Sequence, residues 1–391
     1  MNIEEIKNKL RRDVEKLRSP YGYLNAGYPR YYTLFGRDSI ISAWQMLKID
    51  PSIAQATLQI LSKYQGKTVD PKSEEEPGKI LHEYRFDPKE QAELPKWKFP
   101  YYGSIDSTPL YIFLAAEYLK TTNNTVFISK IWKNIQAAFK WIINYGDKDG
   151  DSYIEYQRMN PYGLFHQGWR DGIEDHLKIK PPVAIVEVQG YVYVAYHSLV
   201  YIAQKLDKDG NLIKEVTGRA KELKEKFNRD FWMEEEKYFA LALDGEKKQR
   251  KAVSSNPGHL LFTKIIDGDK VDYVVKRLFQ PDLWTPYGIR NHSTKEPDFD
   301  PYSYHLGSVW PHDNWVIYKG LQKLGYHQQA EKIKRALLRA YQKLNKIPEL
   351  YTVINNEIVD LSTPTEGVHH VLANPLQAWA SAGLLEMITN N

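Results

Sequence analysis

One short stretch sets the pattern for the rest of the chain: Gly163–Gly172, with the sequence GLFHQGWRDG. It follows an acidic turn and precedes a strongly apolar segment that is typical of a buried helix. Within it a single carboxylate, Asp171, lies beside Trp169 and Arg170 and between two glycines. Taken alone, Asp171 is most simply a surface turn residue. Whether Asp171 has a functional role depends on where similar clusters lie elsewhere in the chain.

Helical periodicity dominates the chain on both sides of this stretch, and strand signals are few. Asp50 followed by Pro51, and Asn374 followed by Pro375, are good helix starts. About twelve segments predict helices that alternate as hairpins. They are 1–16, 39–47, 51–64, 108–119, 127–145, 184–206, 212–231, 257–265, 270–279, 310–324, 327–344 and 375–388. No linker rich in proline, glycine or serine divides them, so we expect a single domain over residues 1–391.

Clusters of glycine, aromatic and charged residues precede or begin the first helix of successive hairpins. These clusters are Phe35–Asp38, Tyr101–Asp106, Gly163–Gly172 with Glu187–Gln189, Tyr302–Asp313 and Pro348–Tyr351. The alternation predicts an all-α fold, the (α/α)6 toroid, whose inner helices run parallel and meet at one mouth. Helix N-termini there carry free N–H donors and a positive dipole end, which favour carboxylates. The alternative, an open array of helical repeats, would lack this regularity.

Composition excludes several classes of protein. The chain has no cysteine, so disulfides and thiolate chemistry are absent. Its 53 basic and 49 acidic residues are interspersed without a basic stripe, which argues against a nucleic-acid partner. No apolar run could span a bilayer, and the first segment has no signal-peptide pattern, so we expect a cytoplasmic protein without a membrane partner. Motifs for phosphoryl transfer, hydride transfer and serine hydrolysis are missing.

The aromatic content indicates a possible ligand class. The chain has 28 tyrosines and 10 tryptophans. Flat rings with a polar edge suit sugars, whose C–H faces stack on the ring while their hydroxyl groups need hydrogen bonds. Large helical proteins also fill their cores with aromatic side chains, which is the alternative.

The carboxylates at the predicted mouth suit glycoside hydrolysis, which needs two carboxyl groups. The candidates are Asp38, Asp106, Asp171, Asp175, Glu187, Asp313 and Glu349. Arg37 with Asp38 resembles a clamp for sugar hydroxyls, and we expect Arg37 to depress the pKa of Asp38; a helix-capping ion pair is the alternative. Trp169 could exclude water and raise the pKa of Asp171, as a proton donor requires. Arg170 would oppose this if it pointed at Asp171.

Two patterns raise the question of a metal. Asp147–Asp151 resembles the start of a calcium loop, but Ser152 replaces the required glycine and Arg158 the closing glutamate. A tight acidic turn is therefore favoured. Several histidines lack paired-ligand spacing, so no metal is predicted; they are His305, His312, His369 and His370.

The ordered clusters together resemble the amylo-α-1,6-glucosidase, or glycogen-debranching-type, family of bacteria and archaea. The resemblance runs from about Tyr21 to the C-terminus. It rests on Tyr32–Ser39, Val69–Glu83, Tyr101–Leu110, Gln167–Asp171, Glu187–Tyr191, Gly307–Asn314, Pro348–Leu350 and Pro375–Trp379. The family is similar to glucoamylases, which implies an (α/α)6 catalytic domain and an inverting mechanism without a cofactor.

The resemblance also implies roles for individual residues. Asp171 corresponds to the general acid and Glu349 to the general base. Arg37 and Asp38 are expected to hold the non-reducing glucosyl unit. Further sugar contacts are expected from Tyr102, Asp106, Trp169, Glu187, Trp310, His312 and Asp313.

Three departures from the family pattern bear on specificity. We expect the chain to lack the N-terminal β-rich domain of many relatives; in addition, Gly172 replaces a frequent serine, and residues 351–373 beside Glu349 do not match. The expected function is an exo-acting inverting α-glucosidase that acts on oligosaccharides or on glycogen and dextrin branches. Glucoamylase-like, trehalase-like and small-glucoside hydrolase activities remain alternatives. So do a non-catalytic sugar-binding protein and, with a weaker match, a sugar epimerase; the oligomeric state is open.

Overall fold

A computed structural model of the chain describes residues 2–208 and 210–389. In this part of the chain the α-helices are α1 Ile3–Leu17, α2 Gly36–Met46, α3 Pro51–Lys63, α4 Pro88–Ala92, α5 Ser107–Thr122, α6 Thr125–Lys130, α7 Trp132–Trp141, α8 Val186–Lys205, α9 Gly210–Asp230, α10 Leu260–Thr263, α11 Gly268–Leu278, α12 Pro311–Lys323, α13 His327–Leu344 and α14 Ala378–Thr389. A π-helical turn, Ile142–Gly146, extends α7, and a 3-10 turn, Asn256–His259, leads into α10.

The helices form two concentric rings. Helices α2, α5, α8, α10, α12 and α14 pack in that order around the inner ring, and α14 closes it by contacting α2. The outer helices α3, α7, α9, α13 and α1 pack against α2, α5, α8, α12 and α14 respectively, and α11 packs against the 3-10 turn that leads into α10. The predicted (α/α)6 toroid is therefore confirmed, and the two ends of the chain supply its last hairpin.

The pattern of buried side chains explains which helices lie in the inner ring and which in the outer ring. Every residue of α5 from Ser107 to Ala116 is buried, as expected for a helix enclosed on all sides. Outer helices instead bury one stripe: in α9 the buried side chains include Val216, Ala220, Leu223 and Phe227, spaced three or four residues apart. The inner helices α2, α5, α8, α12 and α14 are buried over most of their circumference, polar residues included, and the helices with a single buried stripe lie outside.

Two predicted helices differ from the structure in ways that matter for the site. Helix α2 begins at Gly36, three residues earlier than expected, so Arg37 and Asp38 lie in its first turn. A Cβ atom at Gly36 would lie 2.1 Å from the carbonyl oxygen of Leu81, so only glycine fits. The helix predicted over 257–265 is mostly the 3-10 turn followed by the four-residue α10, which ends at Lys264 in the left-handed region.

Short strands fasten the loops that lead into the inner helices. The strands are β1 Gly27–Tyr28, β2 Leu34–Phe35, β3 Glu83–Tyr84, β4 Ala184–Ile185, β5 Trp232–Met233, β6 Tyr238–Phe239, β7 Ala242–Leu243, β8 Gln249–Arg250, β9 Trp284–Thr285, β10 Gly288–Ile289, β11 Thr352–Ile354, β12 Glu357–Val359 and β13 Leu376–Gln377. Antiparallel pairs join β1 to β13, β2 to β3, β5 to β6, β9 to β10 and β11 to β12, and β7 lies between β4 and β8. Because β2, β4 and β13 directly precede α2, α8 and α14, these pairs position the start of each of these helices.

None of the described helices is both long and apolar enough to cross a bilayer.

Candidate active site

The N-terminal ends of the inner helices meet at one mouth, as the alternation of clusters predicted. Arg37 in the first turn of α2 contacts Asp106, which precedes α5. The guanidinium of Arg37 also lies 6.0 Å from the ring centre of Trp379, in the first turn of α14. Trp379 in turn stacks on His312 of α12, with ring centres 3.7 Å apart. Side chains from four inner helices are thus brought into one cluster.

Asp171 is held in this cluster by Arg37. Nη2 of Arg37 donates a hydrogen bond of 2.5 Å to Oδ2 of Asp171, while Nη1 donates to Oδ2 of Asp106 at 3.0 Å and to the carbonyl of Gly168 at 2.9 Å. The Asp171 side chain is 25% exposed, whereas Arg37 and Asp106 are almost fully buried. Burial raises the pKa of Asp171, and the negative charge of Asp106 adds to the rise, although Arg37 opposes it. Asp171 is therefore oriented and accessible.

The structure decides two electrostatic questions about neighbouring residues. Arg170 does not point at Asp171, because its guanidinium donates to Oδ1 of Asn256 at 3.2 Å and to the carbonyl of His305. The expectation of a depressed pKa for Asp38 was wrong, although the positive charge of Arg37 does act to lower it. Burial raises that pKa to about 8, and the negative charges of Asp171 and other nearby carboxylates add to the rise. Arg37 directs its hydrogen bonds to Asp106 and Asp171, so burial dominates at Asp38.

Glu349 is held by neutral donors. The Tyr304 hydroxyl donates to Oε1 at 2.6 Å, and the backbone N–H of Asn374 donates to Oε2 at 2.9 Å. Burial raises the pKa of Glu349 to about 7 against these two hydrogen bonds, and the negative charge of Asp171 contributes to the rise. Both donors favour the ionised carboxylate.

Several buried polar atoms near these carboxylates have no hydrogen-bond partner among the described residues. They are both carboxylate oxygens of Glu187, both ring nitrogens of His312, Oδ2 of Asp313 and Nε1 of Trp169 and of Trp379. Leaving such atoms unpaired is costly, so sites of this kind usually bind a polar ligand or ordered water. Trp169 lies at 5.7 Å from Trp310 and 5.0 Å from His312, measured between ring centres. Aromatic faces with hydrogen-bonding groups between them are the lining that a sugar ring requires.

A second layer orients this lining. Nε2 of His259 lies 2.7 Å from Oδ1 of Asp313, and Nδ1 lies 2.5 Å from the Tyr191 hydroxyl. The Asp313 carboxylate is therefore fixed with one oxygen left unpaired. Burial also raises the pKa of Glu187 to about 7, so near neutral pH this carboxyl exists in both protonation states.

The structure brings together most of the residues predicted for the site. They are Arg37, Asp38, Asp106, Trp169, Asp171, Glu187, Trp310, His312, Asp313 and Glu349. Tyr102 is not brought to the mouth: its hydroxyl donates to the carbonyl of Tyr64 at 2.7 Å. Asp175 instead lies 2.9 Å from Nε2 of His166.

Sequence reasoning missed several members of the cluster. Gln377 donates to Oδ2 of Asp38 at 3.2 Å, and His305 stacks on Trp310 with ring centres 5.2 Å apart. Tyr304 and Trp379 were also missed. Tyr304 and Trp379 lie in segments whose composition already stood out, but nothing in their spacing indicated which side chains face inward.

The acidic turn Asp147–Asp151 binds a cation supplied by the chain itself. The ammonium group of Lys247 lies 2.9 Å from Asp149 and 2.7 Å from Asp151, and it also contacts Glu155. In the other acidic group with metal-like spacing, His292 pairs with Asp298, which Arg250 also contacts at 2.7 Å. Internal ion pairs account for both groups.

Comparison with known proteins identifies the fold family. In solved structures, the GH63 mannosylglycerate hydrolase from Thermus thermophilus in complex with Tris has a TM-score of 0.72 at 12% identity, over 99% of this chain and 100% of that chain. The same enzyme in complex with glucose gives 0.73 at 12% identity, over 97% and 99%. A GH78 family rhamnosidase of Bacillus sp. GL1 gives 0.66 at 14% identity, over 98% of this chain and 34% of that chain. At these identities the likeness shows the fold.

Sequence comparison points the same way. Mannosylglycerate hydrolases MGH1 and MGH2 of Selaginella moellendorffii are each 31% identical over 75 residues. The match spans 19% of this chain and only 15% of the length of each relative. These findings support a six-hairpin glycosidase and do not specifically support the amylo-α-1,6-glucosidase family. A family model described as a mannosylglycerate hydrolase MGH1-like glycoside hydrolase domain matches residues 31–355. The chain therefore belongs to the family of MGH1-like glycoside hydrolase domains.

Proposed function

We propose that this protein hydrolyses a small α-glycoside with inversion, using Asp171 as the general acid and Glu349 as the general base. The observation that carries the proposal is the pair of carboxyl groups at one mouth, each with a different set of hydrogen-bond donors. Asp171 protonates the oxygen of the leaving group as its bond to the anomeric carbon breaks. Glu349 accepts a proton from the water that attacks that carbon.

The surroundings of the two groups support this division of roles. Asp171 has one oxygen occupied by Arg37 and keeps part of its side chain exposed, so Oδ1 is free to face a leaving group. Burial keeps its pKa above the ordinary value, which favours the protonated form that an acid needs. Glu349 receives two hydrogen bonds that favour the carboxylate, the form that a base needs.

A small substrate fits the site better than a polymer branch. Trp169, Trp310, His312 and Trp379 are each at most 2% exposed, so little of this lining is open to solvent, as expected for a small pocket. Such a pocket suits one sugar unit and a compact aglycone. The name of the family and of the relatives at 31% identity supports a glycosylglycerate as the first substrate to test.

Exo-hydrolysis of glucosyl oligosaccharides is the second candidate. It is favoured by the complex of the structurally similar enzyme from Thermus thermophilus with glucose. The debranching activity expected from the sequence is one form of this candidate, as are the glucoamylase-like and trehalase-like activities.

The test is a substrate panel with purified protein and matched amide variants. The panel contains mannosylglycerate, glucosylglycerate, isomaltose, panose, maltose, trehalose and limit dextrin. We expect fastest turnover on a glycosylglycerate, and Asp171→Asn and Glu349→Gln should each lower kcat by roughly 10²–10⁴-fold. NMR of the fresh product should show the inverted anomer. Retention of configuration, or losses below about tenfold in both variants, would contradict the assigned roles.

A further inference from the structure

We propose that the protein has a second carbohydrate-binding site, in a cavity of about 370 Å³ beside Trp44 at the end of the toroid opposite the mouth. Its ligand is a neutral sugar of one or two rings. The site lies outside the catalytic mouth and does not depend on the reaction proposed above. It would let the protein hold a carbohydrate while the active site stays free.

The cavity lies where the inner helices end. Its lining comes mostly from the second halves of α2, α5, α12 and α14, with one side chain, Phe262, from α10. The starts of the inner helices form the mouth, so the cavity is at the opposite end of the inner ring. Arg37 and Trp44 lie near the two ends of α2, about 10 Å apart along its axis. The cavity is therefore distinct from the candidate active site.

Trp44 differs from the rest of its helix. Every other residue of α2 is buried, whereas Trp44 is partly exposed. Its ring is held by Phe113, Phe262 and Trp315, with ring centres at 4.8, 5.0 and 4.7 Å. Its indole N–H has no hydrogen-bond partner among residues 2–208 and 210–389. A fixed aromatic ring that solvent can reach, with a polar group still unpaired, suits a ligand that is apolar on one face and polar at its edge.

The polar side chains of the cavity include both donors and acceptors. Glu117 supplies carboxylate oxygens and Lys48 supplies an ammonium group. Gln322 donates to the Tyr318 hydroxyl at 2.6 Å, and its Oε1 accepts no hydrogen bond from the described part of the chain. Oε1 of Gln45, which also lines the cavity, is buried and likewise unpaired there. A hydroxyl group both donates and accepts, so a ring that carries several hydroxyls matches this mixed set.

The charges around the cavity favour a neutral ligand. Lys319 pairs with Glu386 at 2.7 Å, and Glu117 pairs with Lys120 at 2.7 Å. An anion would be repelled by the two carboxylates and a cation by the lysines. A wholly apolar ligand would remove water from these charges without replacing its hydrogen bonds. Sites for small molecules span roughly 300–1,000 Å³, and the volume of this cavity, near the lower limit, suits one or two sugar rings.

NMR of the indole N–H groups, with ¹⁵N-labelled tryptophan in the full chain, observes both ends of the toroid in one titration. The chain has 10 tryptophans, and Trp44→Phe identifies the peak of Trp44. The ligands are glucose and mannose, which contain no glycosidic bond to hydrolyse, and glycerol and inorganic phosphate serve as comparisons. We expect at least one of the two sugars to shift the Trp44 peak saturably in the millimolar range. Glycerol and phosphate should bind at least about fivefold more weakly, because they lack the ring that stacks on Trp44.

Two variants test the polar side chains and keep Trp44 as the reporter. Gln322→Ala and Glu117→Gln should each weaken sugar binding at Trp44 by about 3–10-fold, as expected for the loss of one hydrogen bond. The matched control is Gln342→Ala, which removes an exposed glutamine of the outer helix α13 and should change nothing. The dispersion of the indole peaks shows whether each variant is folded, and either cavity variant alone is sufficient for the test.

The outcomes at the two ends are independent. A Trp44 peak that neither sugar shifts would overturn the proposal, whether or not the peaks of Trp169, Trp310 and Trp379 at the mouth respond. Tighter binding of phosphate or glycerol at Trp44 would also overturn it, as would sugar affinity that is unchanged in the folded cavity variants. If the Trp44 peak responds while the peaks of the mouth do not, the result counts only against the proposed function.

Discussion

The two carboxyl groups at the mouth have different kinds of hydrogen-bond partner. Asp171 is held by a cation, Arg37, which also neutralises Asp106, whereas Glu349 is hydrogen-bonded by neutral donors of Tyr304 and Asn374. A charged partner holds a carboxylate strongly but also opposes its protonation, so burial must outweigh Arg37 for Asp171 to act as an acid. Neutral donors hold a carboxylate more weakly and leave it accessible to protonation near neutral pH. In both cases the hydrogen-bond partners orient the carboxyl group, while burial raises its pKa.

The largest effect should follow from removing Arg37, the cation that holds the proposed general acid. Arg37→Met leaves Asp106 and Asp171 without their buried cation, which should lower the free energy of unfolding by roughly 3–5 kcal/mol. Activity should fall further than the folded fraction explains, because Asp171 loses its orientation. Denaturant unfolding and activity per folded molecule measure the two effects.

A matched control for Arg37 lies in an outer hairpin. Arg277 makes a two-point ion pair with Asp282, at 2.8 and 2.7 Å, away from the mouth. Arg277→Met should also destabilise the fold but leave kcat of the remaining folded protein unchanged. If both variants lost the same activity per folded molecule, the specific role of Arg37 would be refuted.

A smaller and more specific effect should follow from removing one hydrogen-bond donor of the proposed general base. Tyr304→Phe removes one donor that favours the Glu349 carboxylate, so the pKa of Glu349 should rise above about 7. A general base works only when it is ionised, and activity is lost as the pH falls through its pKa. The acidic limb of the profile of kcat/KM against pH should therefore move to higher pH in the variant.

Stability should fall less in this variant than in Arg37→Met. Loss of one hydrogen bond to an ionised carboxylate costs about 1.5–3 kcal/mol. Tyr238→Phe is the control, because the Tyr238 hydroxyl donates to the carbonyl of Ser254 at 2.8 Å and lies away from Glu349. An acidic limb that moves in both variants, or in neither, would argue against Glu349 as the base that Tyr304 orients.

The smallest effect should come from the amide of Asn374. Its side chain reaches Oε2 of Glu349 only at 3.4 Å, a weak hydrogen bond, while the backbone N–H at 2.9 Å is kept when Asn374 is replaced by alanine. Asn374→Ala should therefore change kcat by no more than about threefold, as expected for the loss of roughly 0.5 kcal/mol. Steady-state kinetics at the optimum pH test this. A loss comparable to that of Tyr304→Phe would show that the side chain, rather than the backbone, holds the base.

More of the fold than of the site could be predicted from the sequence. The apolar inner segments and the amphipathic outer ones follow from periodicity, which is local, and this is why the toroid was predicted correctly. The start of α2 was misplaced because the glycine that opens it is required by a close approach to Leu81, which no local pattern reveals. The glycosidase class was predicted from ordered motifs, whereas substrate preference depends on loops around the mouth that depart from the expected family.

By itself, the sequence determined which segments become inner helices and indicated most of the carboxylates, Asp171 and Glu349 among them, that lie where their N-termini converge. Only the tertiary structure decided the partners of those carboxylates. Arg170 is adjacent to Asp171 in sequence, yet Arg37, from a segment 134 residues away, makes the contact. The physical reason is that a side chain's direction in a turn depends on backbone dihedral angles and on packing against distant elements. Composition and spacing encode neither of these.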